Sequence, residues 1–272
     1  MEAGRGLRDE LREYGYSILP NVIGSELLDR LEREVRGNLQ RPTWDYEMDG
    51  VKMYGDRILR AVDLAGKSPA LLEFLADPVF DTVMRASLLD SCDHALLSSS
   101  TALEVHRQDG AKPQTLHRDE NNYPPVLPRI PGGAEYLVNI ILAGTDFTAG
   151  NGGTLIVPGS NKWPRERKPT TDDPVIAIEM PRGSCAVWLG STYHGAGVNR
   201  TDEPRLGIIM TFAAGWLRTI ENHFLMLDPA RVATLPPQVQ QYLGYDLHGV
   251  LGSLEWKSPM KTLLRAREDA RA

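Results

Sequence analysis

The segment EYLVNIILAGTDFTAGNGGTLIVPGS, residues 135–160, decides the fold. It opens on a β-rich run at 135–142 and breaks at Ala149-Gly150-Asn151-Gly152-Gly153. It resumes as a β-rich run at 153–157 and stops at Pro158-Gly159-Ser160. Short apolar and β-branched runs between clusters of turn residues read as strands joined by irregular connections. Working outward, the same punctuation covers 96–106, 113–117, 175–179, 184–189 and 205–213, with Pro131-Gly132-Gly133 as a further break. Many short strands with few long helices between them predict an antiparallel sandwich or barrel.

Helical periodicity lies at both ends. Residues 24–36 place Leu27, Leu28, Leu31 and Val35 on one helical face, with Ser25 as the expected N-cap. Residues 69–89 predict one or two helices divided at Asp77-Pro78, because proline suits the first turn of a new helix. Helical character returns at 228–243, where Pro236-Pro237 opens a short last helix. The expected organisation is a single domain over 1–272, with a mainly helical flank at 1–94, a β core at 95–218 and a mixed tail at 219–272.

Composition narrows the function classes. The 272 residues suffice for one sizeable core. With 30 Lys plus Arg against 36 Asp plus Glu, the net charge is −6, which disfavours nucleic acid and anionic membranes as partners. Cys92 and Cys185 are too few for a disulfide framework, and no apolar run reaches the roughly 18–20 residues that span a bilayer. The stretch Met1–Arg8 lacks the apolar segment of a signal peptide, so the expected setting is soluble, reducing and cytoplasmic. The assembly is left between monomer and homodimer.

His117-Arg118-Asp119 places an imidazole and a carboxylate two residues apart, on the same side of an extended chain. By itself this triplet more often describes a surface histidine beside a solvated aspartate. His194 follows the apolar run Ala186-Val187-Trp188-Leu189, and a strand there could return it beside the pair. Two histidines and one carboxylate form a facial triad that leaves three octahedral positions open, the ligand set of non-haem iron(II) oxygenases. Arg205 stands 11 residues beyond His194 at the start of another β-rich run. If buried, it would be a rigid two-pronged receptor for a carboxylate; the plainer reading is a surface ion pair.

At this point the chain resembles the phytanoyl-CoA dioxygenase-like branch of the iron(II)/2-oxoglutarate oxygenases. The matching blocks are Gln114–Asp119, Asn151–Ser160, His194–Arg205 and Gly215-Trp216-Leu217-Arg218, together with Tyr14–Leu19 and Lys67-Ser68-Pro69, in consistent order over nearly the whole chain. Gly153 and Leu155 depart from the family's more usual Ala and Arg, and neither is a ligand position. The resemblance implies a double-stranded β-helix (a jelly roll, cupin-like) flanked by α-helices. It implies that His117, Asp119 and His194 ligate Fe(2+) and that Arg205 binds the distal carboxylate of 2-oxoglutarate. Gln114 and Thr154 match positions that contact the same cosubstrate, and Arg60 is a weaker match to a position facing the site. The implied chemistry couples O2 and the decarboxylation of 2-oxoglutarate to succinate with oxidation of a substrate C–H bond: hydroxylation, desaturation or rearrangement. Within the family the chain looks closest to oxygenases that tailor small natural products. Asp119 leaves no vacant carboxylate position for a halide, which disfavours halogenation.

The remaining histidines, His94, His106, His223 and His248, match no ligand position and read as structural, and Cys185 reads as a small strand residue. Candidate walls for a small, lipophilic substrate are Trp44, Met53, Asn121, Asn122, Tyr123 and Trp216, with the loop 121–130 at the mouth. The alternatives are a non-catalytic jelly-roll binding protein, and a cupin-type metalloprotein of different reactivity. The first would lack a complete triad and anion-binding arginine; the second usually carries more histidines and no such arginine.

Overall fold

The computed structural model describes residues 3–43, 47–48, 51–52, 58–123 and 130–260. Two antiparallel sheets form its centre. The larger has six strands in the order β1 (Tyr16–Leu19), β9 (Cys185–Leu189), β6 (Leu137–Ala143), β11 (Arg205–Ala214), β5 (Ala95–Val105) and β4 (Ile58–Ala61). The smaller has the order β10 (His194–Ala196), β7 (Thr154–Ile156) and β8 (Ile176–Ala177). A separate hairpin pairs β2 (Glu47–Met48) with β3 (Val51–Lys52). This is the expected jelly-roll class. The run at 113–117, expected as a strand, contributes only an isolated bridge at His117.

The period-2 pattern of the central strands sorts their side chains onto two faces. From β6, Val138, Ile140 and Leu142 face one way; from β9, Cys185, Val187 and Leu189; from β11, Leu206, Ile208, Met210 and Phe212. These pack under the helices α1 (Ala3–Tyr14), α2 (Ser25–Arg36), α3 (Leu64–Lys67), α4 (Pro69–Phe74) and α5 (Pro78–Ser87). Leu28, Leu31 and Val35 of α2 are buried there, as the helical period requires. Its cap is Gly24 rather than Ser25, and no side chain caps it. Asp77 does cap α5, its carboxylate accepting from Val79 N at 2.8 Å, with Pro78 in the first turn. The tail supplies α6 (His223–Met226), α7 (Pro229–Val232) and α8 (Pro237–Tyr242), and Phe212 meets Tyr242 edge-on at 5.0 Å.

The opposite faces of the same strands look into the space between the sheets. There Ile141, Ala143, Phe147, Ile156, Ile178, Met180, Ala186 and Trp188 form a second, smaller cluster. Only part of that space is filled by side chains, and the remainder is the site described below.

One buried carboxylate joins the tail to the large sheet. Across from β11 the pairing shifts at Ser98, so that Thr211 faces Ser99 while Phe212 faces Leu97. Ser98 O, freed by this bulge, accepts from Glu221 N at 2.8 Å. The Glu221 carboxylate accepts from Ser100 N and Ser100 Oγ, both at 2.9 Å, and from Asp63 N at 3.0 Å. Ser100 Oγ in turn accepts from Ala65 N at 2.9 Å, which fastens the start of α3 to the network. Removing the carboxylate would strand three donors. Glu221→Ala should therefore destabilise the protein by at least about 3 kcal/mol, given that each of the three buried orphans costs about 1–3 kcal/mol. Urea unfolding followed by circular dichroism checks this, and a change below about 0.5 kcal/mol, ordinary for a surface site, would count against it.

Candidate metal and cosubstrate site

Three residues from two distant segments meet at the open edge of the small sheet. His117 lies opposite His194 in an antiparallel bridge, with His117 N donating to His194 O and His194 N to His117 O, each at 2.9 Å. Directly opposed residues put their side chains on one face, and the two rings lie 4.5 Å apart. Asp119 follows two residues on, at the start of a short 3-10 turn, Asp119–Asn122. Its Oδ1 lies 3.6 Å from His117 Nε2, and its Oδ2 lies 3.5 Å from His194 Nε2. One potential ligand atom from each residue falls within 4.8 Å of the others.

The imidazoles are oriented by their own backbones. His117 Nδ1 donates to Thr115 O at 2.9 Å, and His194 Nδ1 donates to Thr192 O at 3.1 Å. A carbonyl can only accept, so each Nδ1 carries a proton and each Nε2 faces Asp119. This is the tautomer a metal ligand needs. Burial drives the His194 pKa down to about 4, against the opposing attraction of Asp119, so the ring is neutral at physiological pH. Trp188 packs beside it, 5.0 Å between ring centroids.

A small cavity, about 190 Å³, runs inward from the triad between the sheets. Arg205 closes its inner end. The side chain is 1% exposed, with Nη2 donating to Gly152 O at 2.9 Å and the guanidinium 4.6 Å above the Phe147 ring. Its Nε has no partner and, among the described residues, no carboxylate lies against it. Desolvation lowers its pKa to about 10, which leaves it charged at neutral pH. A buried cation in an apolar wall is costly unless an anion meets it. Gln114, Thr154 and Arg60 line the same cavity. Gln114 Oε1 accepts from Ala196 N at 2.8 Å, fixing the amide. Thr154 is paired with Ala196 on the neighbouring strand, and Arg60 reaches in from β4.

Two further donors in this lining escaped the sequence reading. Asn139 is fully buried; its Oδ1 accepts from Thr211 Oγ1 at 2.7 Å, while its Nδ2 has no partner. Trp188 Nε1 is likewise buried without a partner. An asparagine in the centre of the apolar run Leu137–Ala143 was the available signal, since a buried amide needs a partner. Buried unpaired donors beside a buried cation fit an acceptor-rich dianion. Two imidazoles with Nε2 turned to one point and a carboxylate, with positions left open, fit ferrous iron.

A second, wider cavity of about 750 Å³ opens on the outer side of His117 and Asp119. Asn121, Asn122, Lys168, Pro169, Thr170 and Thr171 line it. Tyr123 lines neither cavity; its hydroxyl donates to Arg218 O at 2.8 Å. Trp216 lines a different groove, with its indole donating to Ser91 O at 3.0 Å. Met53, Trp44 and residues 124–129 of the mouth loop lie outside the described residues. His106 is tied to Glu104 at 2.9 Å and does not belong to the His117, Asp119, His194 group found among the described residues.

Comparison with known proteins gives the family. The dioxygenase FUM3 of Gibberella moniliformis is 31% identical over 250 residues, covering 87% of this chain and 82% of that protein. The dioxygenase trt7 of Aspergillus terreus is 28% identical, covering 86% and 82%. Among solved structures, the non-haem α-ketoglutarate-dependent epimerase SnoN from nogalamycin biosynthesis superposes with a TM-score of 0.63, at 20% identity, over 86% of this chain and 90% of its own. The phytanoyl-CoA dioxygenase (PhyH) profile matches residues 11–207. The chain therefore belongs to the phytanoyl-CoA dioxygenase family of iron(II)- and 2-oxoglutarate-dependent oxygenases.

Proposed function

We propose that this dioxygenase oxidises a C–H bond of a small, mainly lipophilic, natural-product-like molecule, by hydroxylation, desaturation or rearrangement. In this reading His117, Asp119 and His194 hold iron(II), and Arg205 receives the distal carboxylate of 2-oxoglutarate. The observation that carries it is the Arg205 guanidinium: buried, charged, without a carboxylate against it among the described residues, and in one cavity with the triad. A non-catalytic jelly roll has no use for such a costly cation. The names of FUM3 and trt7, both called dioxygenases, support the reading, as does the place of SnoN in nogalamycin biosynthesis.

Iron(II) with bound 2-oxoglutarate supplies an O2-derived oxidant able to abstract hydrogen from carbon, with succinate and CO2 as coproducts. The chain's own residues do the rest. The Thr115 and Thr192 carbonyls hold a proton on each Nδ1 and so aim both Nε2 atoms at the site. Arg205 orients the cosubstrate from its far end, with Gln114, Thr154 and Arg60 around it and Asn139 and Trp188 as further donors. The two cavities meet at His117, Asp119 and Asn122, so the small inner one suits the cosubstrate and the wider outer one the substrate. A volume of about 750 Å³ falls within the 300–1,000 Å³ range of small-molecule pockets. The Asn, Thr and Lys rim calls for a substrate with polar substituents on its lipophilic body.

Anaerobic addition of iron(II) and 2-oxoglutarate should produce a weak visible charge-transfer band and, after admission of O2, succinate. His194→Ala should abolish both while the circular dichroism spectrum is kept. Full turnover in the presence of a strong chelator would refute the assignment.

Arg205 yields a quantitative expectation. Truncating one member of a buried charge pair costs about 2–5 kcal/mol, roughly 30- to several-thousand-fold in affinity. Arg205→Ala should raise the 2-oxoglutarate dissociation constant at least tenfold, with iron binding retained. Arg205→Lys should fall between, because charge survives but the two-pronged geometry does not. Titration of both variants that matches wild type would return Arg205 to a packing role.

The outer cavity should set substrate choice. Asn121→Ala and Thr170→Ala are expected to change the product pattern, or to release succinate without product, while leaving 2-oxoglutarate affinity within about threefold. Product analysis by mass spectrometry beside succinate counting decides this; variants that instead lose iron show the loop to be structural.

A further inference from the structure

Arg118 stands between two of the triad residues, its side chain turned away from theirs, and with Tyr193 it also borders the outer cavity. Its backbone is extended, with φ −116° and ψ 132°, so it projects opposite to His117 and Asp119. The guanidinium is buried, only 2% exposed, directly behind the triad. Its Nη2 donates to Ser160 O at 2.7 Å and to Trp163 O at 3.4 Å, and its Nη1 donates to Pro164 O at 3.3 Å. Glu120 lies 3.8 Å away, and Tyr193 presents its ring face 4.4 Å from the guanidinium carbon.

Tyr193 is the residue before His194, and it is held as firmly. Its N–H donates to Ser160 Oγ at 2.8 Å, its carbonyl accepts from Val157 N at 2.9 Å, and its hydroxyl donates to Arg167 O at 3.0 Å. Arg118 therefore touches, through one planar group, the turn at 160–164 and the residue flanking the third ligand, while its own backbone carries the other two. The bridge between His117 and His194 fixes their separation along the sheet edge. The guanidinium fixes the roll of both segments about that edge, because it locks the neighbours that point the opposite way.

We propose that Arg118, clamped between the 160–164 carbonyls and the Tyr193 ring, is the positioning residue of the metal centre. It sets the approach of His117 and Asp119 from one side and of His194, through Tyr193, from the other. A neutral residue of equal bulk would fill the space without the three convergent hydrogen bonds. Lysine would keep the charge but cannot spread it over three carbonyls and a ring face. The inference rests on the reading of the triad as a metal site.

The test uses chelator-stripped full-length protein, with Mn(II) affinity from the disappearance of the free-ion EPR signal and Co(II) ligand-field absorption as a report on coordination geometry. Arg118→Met and Arg118→Lys should each raise the Mn(II) dissociation constant at least tenfold, within the roughly 10–100-fold cost of losing a group that orients metal ligands. Both should alter the Co(II) spectrum. Tyr193→Leu should shift both readouts in the same direction, whereas Tyr193→Phe, which keeps the ring face, should stay within threefold of wild type. Folded Arg118 variants of lowered urea stability that bind Mn(II) within threefold of wild type, with an unchanged Co(II) spectrum, would overturn the proposal and leave Arg118 a packing residue. If neither Arg118 variant folds, Tyr193→Leu decides by the same two readouts. A wild type indistinguishable from His194→Ala in Mn(II) binding would instead sink the metal reading, and this inference with it.

Discussion

Two reciprocal hydrogen bonds, between the backbones of His117 and His194, are the constraint on which the site depends. They join a segment that is otherwise irregular to the edge of the small sheet, and they bring the two imidazoles to one face. Asp119 needs nothing further, since a side chain two residues on returns to the same side. The close approach that permits this pairing is written in glycines. A Cβ at Gly195 would meet Gln114 O at 2.9 Å, and one at Gly197 would meet Gly153 O at 2.6 Å. Backbone atoms cannot yield as a flexible side chain can, so the edge closes only because those positions carry no side chain.

Around this edge the fold buries charge on two sides. Arg205 is buried between the sheets, and Arg118 is buried beside the triad. Their surroundings differ in kind. Arg118 is surrounded by carbonyls, a ring face and Glu120, so its cost of burial is offset locally and it acts as part of the frame. Arg205 has one carbonyl and a ring face, and its Nε is left over. A protein keeps a half-satisfied cation in its interior where a ligand completes it. With Asn139 Nδ2 and Trp188 Nε1 also unpaired, the inner cavity is rich in donors awaiting acceptors, while the large apolar cluster on the helical side of the six-stranded sheet carries the stability. The β strands thus divide the labour by alternation: Leu206, Ile208 and Met210 hold the helices, and Arg205, Ile209 and Thr211 face the site.

Much of this was legible in the chain. Strand positions at 96–106, 135–142, 184–189 and 205–213 lie within a few residues of β5, β6, β9 and β11, because their apolar and β-branched runs are long and bounded by Gly and Pro. The break at Asp77-Pro78 was legible because proline and a capping carboxylate act locally. The helix Ala3–Tyr14 was not read, since its polar face masks the few apolar residues that dock it, Leu7 and Leu11. Nor was the bridging character of 113–117, whose pairing consists of contacts to residues far along the chain.

For the site the division is the same. Sequence by itself determined the chemistry available: two imidazoles, a carboxylate and an arginine in family order, with the i, i+2 geometry of His117 and Asp119 guaranteed by any extended chain. It also determined that His106 and His248 had no part in that order. Only the tertiary structure decided which candidates share a cavity. It gathered Gln114, Thr154, Arg60 and Arg205 around the triad and added Asn139 and Trp188. It tied Tyr123 to Arg218 and turned Trp216 toward Ser91. The reason is physical. A residue type and its spacing fix what a side chain can bond to, but which partner it meets is set by strand register and by the direction of alternation in strands far apart in the sequence.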